Sequence, residues 1–267
     1  MLENSVSKIL FSPELNKIYR KKAILEILFN QYLITGGFLS PLNQFVKSKK
    51  ITDATFNIYW QGIKGDLLKL ERKETIFLEI MQEEMKHLGG TFSYNDIAKN
   101  ISISSHVTVM DYLTLSEKFF ILNIFHNIDL EKRLPALRKQ KKLSFLDPFI
   151  FNLLNSQIIG AIDFFETAKI ESSKYFPALI EGIIANFLKL KFLRCGFWNN
   201  KREIDFVGIE KQKTIGFEIK IQNKINERDI IKLKTINQFD KIIVVSKNEF
   251  KEIDGILLIP YWMLLLL

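Results

Sequence analysis

Three side chains in the last third of the chain have types and spacing that suit phosphoryl chemistry: Asp205, a gap of twelve residues, then Glu218 and Lys220. On a strand, side chains two apart share a face, so Glu218 and Lys220 point together while Phe217, Ile219 and Ile221 point to the other side. If residues 203–209 and 214–221 form a hairpin that turns between Lys211 and Gln212, Asp205 lands opposite Glu218. Like charges opposed on a sheet are destabilising unless something neutralises them, and a hard divalent cation with oxygen ligands is a suitable neutraliser. Asp205 and Glu218 are therefore candidate ligands for Mg2+ or Mn2+. Lys220 beside them is placed to orient or polarise an attacking water, or to stabilise charge on a phosphate. The plainer alternative is a surface ion pair between Glu218 and Lys220.

These residues need a sheet to hold them, and the hydrophobic pattern supplies one. Residues 178–190 are apolar at helical spacing and carry one acid, Glu181. Residues 192–198, 203–209 and 214–221 read as strands, 227–239 as a helix and 241–246 as a buried strand. The order is αβββαβ. The apolar stretch 256–267 reads as a last strand and docking tail, too short for a membrane span of roughly 20 residues.

Upstream, three regions precede this one. Residues 1–73 read as helical, with Leu15, Ile18 and Tyr19, then Ala23, Ile24, Ile27 and Leu28 recurring at three and four, and a break at Thr35-Gly36-Gly37-Phe38. Residues 74–146 have the rhythm of a winged helix-turn-helix: a helix through Ile76, Ile80 and Met85, a stop at Gly89-Gly90, a helix capped by Ser93, a third capped by Ser104-Ser105, then a strand over 119–125. The third helix carries Asp111, Glu117 and Lys118, which weighs against deep groove binding and for a docking role. The basic run from Lys132 to Lys142 reads as a solvated connector or a phosphate-backbone contact. Residues 147–175 read as a linker, leaving 176–267 as the domain that holds the acids.

At this point a resemblance can be named. Ile204-Asp205, the twelve-residue gap and Glu218-Ile219-Lys220, preceded by the helical Glu181, resemble the PD-(D/E)XK nuclease superfamily, including archaeal junction resolvases. The resemblance implies a restriction-endonuclease-like α/β domain in which Asp205 and Glu218 bind metal, Lys220 assists catalysis and Glu181 is an additional acid. Ile204 stands where the name-giving proline would be. More widely, Tyr32-Leu-Ile-Thr-Gly-Gly-Phe38, Tyr59 to Leu70, Phe92 to Ala98 and Leu143-Ser-Phe-Leu-Asp-Pro-Phe149 resemble the C-terminal half of archaeal and bacterial AAA-type ATPases. That family places a helical lid, a winged helix and a nuclease-like domain after its P-loop domain. The expected fold class is therefore mixed α and β: a helical N-terminal region with a winged helix, then the α/β domain.

The remaining sequence narrows the function classes. No Gly-x4-Gly-Lys-Ser/Thr loop occurs, so no nucleotide site is expected, and neither Gly-x-Ser-x-Gly nor a dinucleotide fingerprint is present. His87, His106 and His126 have no cysteine near them and no i, i+4 pairing, which disfavours zinc. The single cysteine, Cys195, excludes a disulfide framework and fits a core thiol in a cytoplasmic protein. The opening Met1-Leu2-Glu3-Asn4 lacks a secretory pattern. A net charge of +8 permits a nucleic-acid partner, but the excess is spread along the chain. Two functions follow as expectations. One is a metal-dependent endonuclease acting on DNA. The other is a catalytically inert DNA- or protein-binding module that partners an AAA-type ATPase or a second copy of itself, away from any membrane.

Overall fold

The computed structural model describes residues 13–200 and 202–267; the opening Met1–Asn4 stretch lies outside them. In chain order the elements begin with helices α1 Pro13–Tyr19, α2 Lys22–Thr35, α3 Leu39–Ser48, α4 Asp53–Lys69, α5 Glu74–Lys86, α6 Tyr94–Asn100 and α7 His106–Lys118. Strands β1 Leu122–His126, β2 Ile128–Asp129, β3 Leu134–Pro135 and β4 Lys141–Phe145 follow, then helices α8 Pro148–Ile158, α9 Phe164–Lys174 and α10 Phe176–Lys191. The chain ends with β5 Arg194–Asn200, β6 Arg202–Glu210, β7 Lys213–Lys220, α11 Glu227–Lys234, β8 Lys241–Ser246, β9 Lys251–Ile253, β10 Ile256–Pro260 and α12 Tyr261–Leu264. The chain is a mixed α/β protein that divides into two units. Of the described residues, the first comprises 13–29, 126–138 and 184–267, and the second 30–125 and 139–183.

The first unit is built on a six-stranded mixed sheet in the order β5-β6-β7-β8-β10-β9. The β5–β6, β6–β7 and β10–β9 pairs are antiparallel, whereas β7–β8 and β8–β10 are parallel. A parallel pair needs a crossover, and α11 supplies it, its first turn capped by Asn226, whose Oδ1 accepts from Arg228 N at 3.0 Å. One face of the sheet is sealed by Ile204, Val207, Ile209, Ile242, Val244 and Leu258 against Ile230 and Leu233 of α11. On the other face Phe192 packs edge-on to Phe217, their centroids 5.7 Å apart. Gly208 lies so close to the Phe192 ring that any Cβ there would overlap it.

The second unit is mainly helical, with a two-stranded sheet of β1 and β4. Its helix starts follow their capping residues. Ser93 Oγ accepts from Asp96 N at 3.2 Å to open α6, and Ser105 Oγ from Thr108 N at 3.3 Å to open α7. Residues 147–175, read from sequence as a linker, instead carry α8 and α9, and α8 is buried from Pro148 through Ser156. Asp147 caps α8 by accepting from Phe149 N at 2.7 Å, and its other oxygen accepts from Gly37 N at 2.8 Å. Gly36 adopts φ +59°, and a Cβ there would run into the Asp147 carboxylate, so glycine is required on both counts.

The basic run also differs from a solvated connector: its last two residues, Lys141 and Lys142, lie in β4, 6% and 2% exposed. Among the described residues no single helix is long and apolar enough to cross a membrane; α2 and α3 reach that length only together, bent by 119° at the break between them.

Candidate functional site

β6 and β7 pair as Phe206–Phe217, Val207–Gly216, Gly208–Ile215, Ile209–Thr214 and Glu210–Lys213, the offset that the hairpin turn at 211–212 demands. Asp205 is the next residue beyond the Phe206–Phe217 pair, and Glu218 is its counterpart on β7. On the opposite side of β6 the register shifts: Gly196 pairs with Val207 but Trp198 with Ile204, so two residues of β6, Asp205 and Phe206, stand against the single Phe197 of β5. This is a β-bulge, a device that re-aims a side chain locally. Its effect is visible in the hydrogen bonding. The Ile219 N–H donates to Oδ2 of Asp205 at 2.7 Å, a side-chain carboxylate standing where a strand carbonyl would otherwise accept.

Glu218 and Lys220 share the face that α11 covers, because their parallel partners on β8 are Val244 and Ser246, and Val244 belongs to the cluster under α11. The Lys220 ammonium lies 2.7 Å from Glu218 Oε1. Glu218 is 8% exposed and Lys220 and Asp205 are half-buried. Burial pulls the Lys220 pKa down, but the bond to Glu218 and the charges of Glu218, Asp205 and Asp229 outweigh it and hold the ammonium above its usual range. Asp229, in the first turn of α11, is an acid of this neighbourhood that strand periodicity does not reveal. It comes from the helix read at 227–239, and the strand pattern gives no sign that this helix brings an acid beside Lys220.

Asp205, Glu218 and Lys220 are thus brought together. Glu181 falls in the second unit, where its Oε1 meets the Lys142 ammonium at 3.1 Å, with the Lys142 side chain 3% exposed. Among the described residues no group of three or more His, Cys, Asp or Glu side chains is arranged to hold a metal ion. Two carboxylates nonetheless suit Mg2+ or Mn2+, which keep several waters and take one or two protein carboxylates together with substrate phosphate oxygens. The donor set is all oxygen, as such ions prefer. An open cleft of about 770 Å³ lies in the second unit between α4 and α5, lined by Lys64, Arg72, Lys73, Glu71 and Glu74 among others. Within it Lys64 pairs with Glu74 at 2.9 Å.

Residues 26–158 match the family model for a domain of unknown function, DUF8612. The matched span ends before the strands that carry the two acids and the lysine. No curated protein matches the chain, and no solved structure does.

Proposed function

We propose that this chain is a metal-dependent nuclease-like module that acts on the phosphodiester backbone of DNA, built as a winged-helix region and a PD-(D/E)XK-type domain without a P-loop domain of its own. The observation that carries the proposal is the convergence of Asp205, Glu218 and Lys220 beside a bulge at the end of the β6–β7 ladder. Mg2+ or Mn2+ bound by Asp205 and Glu218 would lower the pKa of a bound water and neutralise charge on the phosphate.

The protein's own groups have separable tasks. Asp205 is oriented by the Ile219 N–H, which fixes the direction in which its second oxygen points. Lys220, its ammonium 2.7 Å from Glu218 Oε1, supplies a hydrogen-bond donor and a positive charge. It orients the attacking water or steadies the phosphate as negative charge builds on it. The same face is walled on one side by the aliphatic cluster under α11, which limits bulk water there.

Support for the kinship with AAA-type ATPases comes from the second unit. Two of the segments that carry the resemblance, 110 residues apart in sequence, meet directly where Asp147 accepts from Gly37. The order of α5, α6, α7 and β1, with β4 paired to β1, supports the winged-helix reading.

The test is incubation of the full chain with linear and branched DNA in magnesium or manganese. Cleavage that disappears in Asp205→Asn and Lys220→Ala is the expected result; no cleavage, or cleavage that these variants retain, sinks the enzyme reading. The closed Glu218–Lys220 pair, with no group of three His, Cys, Asp or Glu side chains arranged to hold a metal ion among the described residues, favours a second reading, a module that binds without cutting. Titration calorimetry separates the two: tight metal binding that Glu218→Ala abolishes argues against the inert version.

A further inference from the structure

The loops that leave the ends of β7 and β8 depart from the same edge of the sheet, because those strands are parallel and Lys220 pairs with Ser246. They are fastened to each other. Asn248 Nδ2 donates to Asn223 Oδ1 at 3.2 Å, and Ile225 N–H donates to Glu249 Oε2 at 2.7 Å. Ser246 Oγ donates to the Glu249 carbonyl at 2.8 Å, tightening the second loop on itself. Tyr19 of α1 stacks on Trp262 at 5.9 Å and lies tilted against Phe250 at 5.8 Å, and its hydroxyl donates to the Asn248 carbonyl at 3.3 Å. The result is a rim held in place by hydrogen bonds and an aromatic base, directly downstream of Lys220.

The rim carries a charge asymmetry. Its acid, Glu249, accepts from the Ile225 N–H and pairs with Lys251, 2.6 Å away, with the Lys224 charge adding to the pull on it. Lys224, adjacent to Asn223 and exposed, and Lys247, adjacent to Asn248 and half-buried, supply the cations. In open sheets with parallel strands the crevice outside the carboxyl ends is where ligands bind, and β7 and β8 end here.

We infer that this paired rim, through Lys224 and Lys247 with the carboxamides of Asn223 and Asn248, grips the phosphate backbone of the nucleic-acid strand next to the phosphate facing Lys220. The inference rests on the reading of Asp205, Glu218 and Lys220 as a phosphodiester-directed site. The contacts reach phosphates and not base edges, so they confer affinity without sequence preference and position the strand. Each phosphate neutralised releases condensed counterions, with a slope of about −0.9 per contact on duplex and −0.7 on a single strand. Two contacts therefore make about a 7- to 12-fold share of the affinity lost between 50 and 200 mM salt.

The experiment is fluorescence anisotropy of the full chain with a labelled 20-mer, as duplex and as single strand, in EDTA at a series of salt concentrations. A parallel cleavage assay in magnesium uses the same oligonucleotides. Lys224→Gln/Lys247→Gln is expected to weaken binding and flatten the salt slope by about 1.4 to 1.8, and to raise KM in the cleavage assay. Lys211→Gln/Lys213→Gln, at the hairpin turn on the far end of the same strands, controls for loss of bulk charge and is expected to leave the slope in place. Thermal melts of both variants that match the parent show that each is folded. Wild-type cleavage with a rim variant of unchanged slope and KM overturns the rim assignment and leaves the site reading standing. A wild type that neither cuts nor binds at low salt overturns both.

Discussion

Lys142→Met is expected to destabilise the second unit more than any surface substitution, because it strands the carboxylate of Glu181. The Lys142 side chain is 3% exposed and that of Glu181 17%, with 3.1 Å between charged atoms. Taking one partner from a pair this buried costs about 3–5 kcal/mol, since the remaining charge keeps its desolvation penalty and loses its neutraliser. For a chain of this size that corresponds to a fall in Tm of roughly 6–20 °C. Glu181→Leu should cost a similar amount, because it leaves the ammonium in the same position. Replacing both, Lys142→Met with Glu181→Leu, should recover most of the loss and come within about 1 kcal/mol of the parent, as buried pairs often do when exchanged for apolar groups. Urea unfolding of the four proteins gives the cycle. Single variants that sit within about 0.5 kcal/mol of the parent, or losses that simply add in the double variant, would refute the claim that the two charges depend on each other. The result also bears on chemistry: a strongly coupled Glu181 is primarily the counter-ion of Lys142, which restricts the role the resemblance implies for it.

Glu84, in α5, is 1% exposed and neither carboxyl oxygen has a hydrogen-bond partner. Burial, with Glu83 beside it, pushes its pKa well above the usual range, so the native state binds this proton more tightly than the unfolded chain does. Stability from this group is greatest below the unfolded value near 4.5 and falls as pH rises toward the folded value; Glu84→Met should add about 1–3 kcal/mol, more at pH 8 than at pH 5, by urea midpoints. Gly36→Ala should destabilise by at least about 2 kcal/mol in the same assay, from the left-handed backbone and the overlap with Asp147, whereas Gly62→Ala, with open space around it, should be neutral or stabilising. Asp205→Asn keeps an acceptor for the Ile219 N–H and should melt close to the parent, while Asp205→Ala loses about 1.5–3 kcal/mol; equal melting of the two would show that the bond carries no weight.

How much of this was legible before the structure differs by element. The β6–β7 offset followed from strict alternation on either side of a polar turn, and so did the shared face of Glu218 and Lys220. The bulge did not, because a period-two argument has no place for an unpaired residue, and it is the bulge that turns Asp205 toward the Ile219 N–H. α8 was missed for the opposite reason. Pro148-Phe-Ile-Phe-Asn-Leu-Leu154 is buried on every side, with Asn152 hydrogen-bonded inside, and a helix buried all round shows no stripe to read. Lys141 and Lys142 looked like a wet charged run, since nothing in the local pattern announces that Glu181, far along the chain, neutralises one of them. β9 is three residues long and its turn onto β10 depends on Gly255 at φ +81°, a signal too short to separate from a loop.

The extra residue in β6 makes the length of that strand as important as its composition. Deleting Phe206 would allow β6 to align regularly with β5 along its whole course, and the sheet would lose little in backbone pairing. The same deletion would leave Ile204 opposite Trp198 in the aliphatic layer but put Asp205 in the place of Phe206, on the reverse side of the sheet and away from Lys220. A chain one residue shorter here is thus a way for the scaffold to persist while its chemistry is dismantled in a single step.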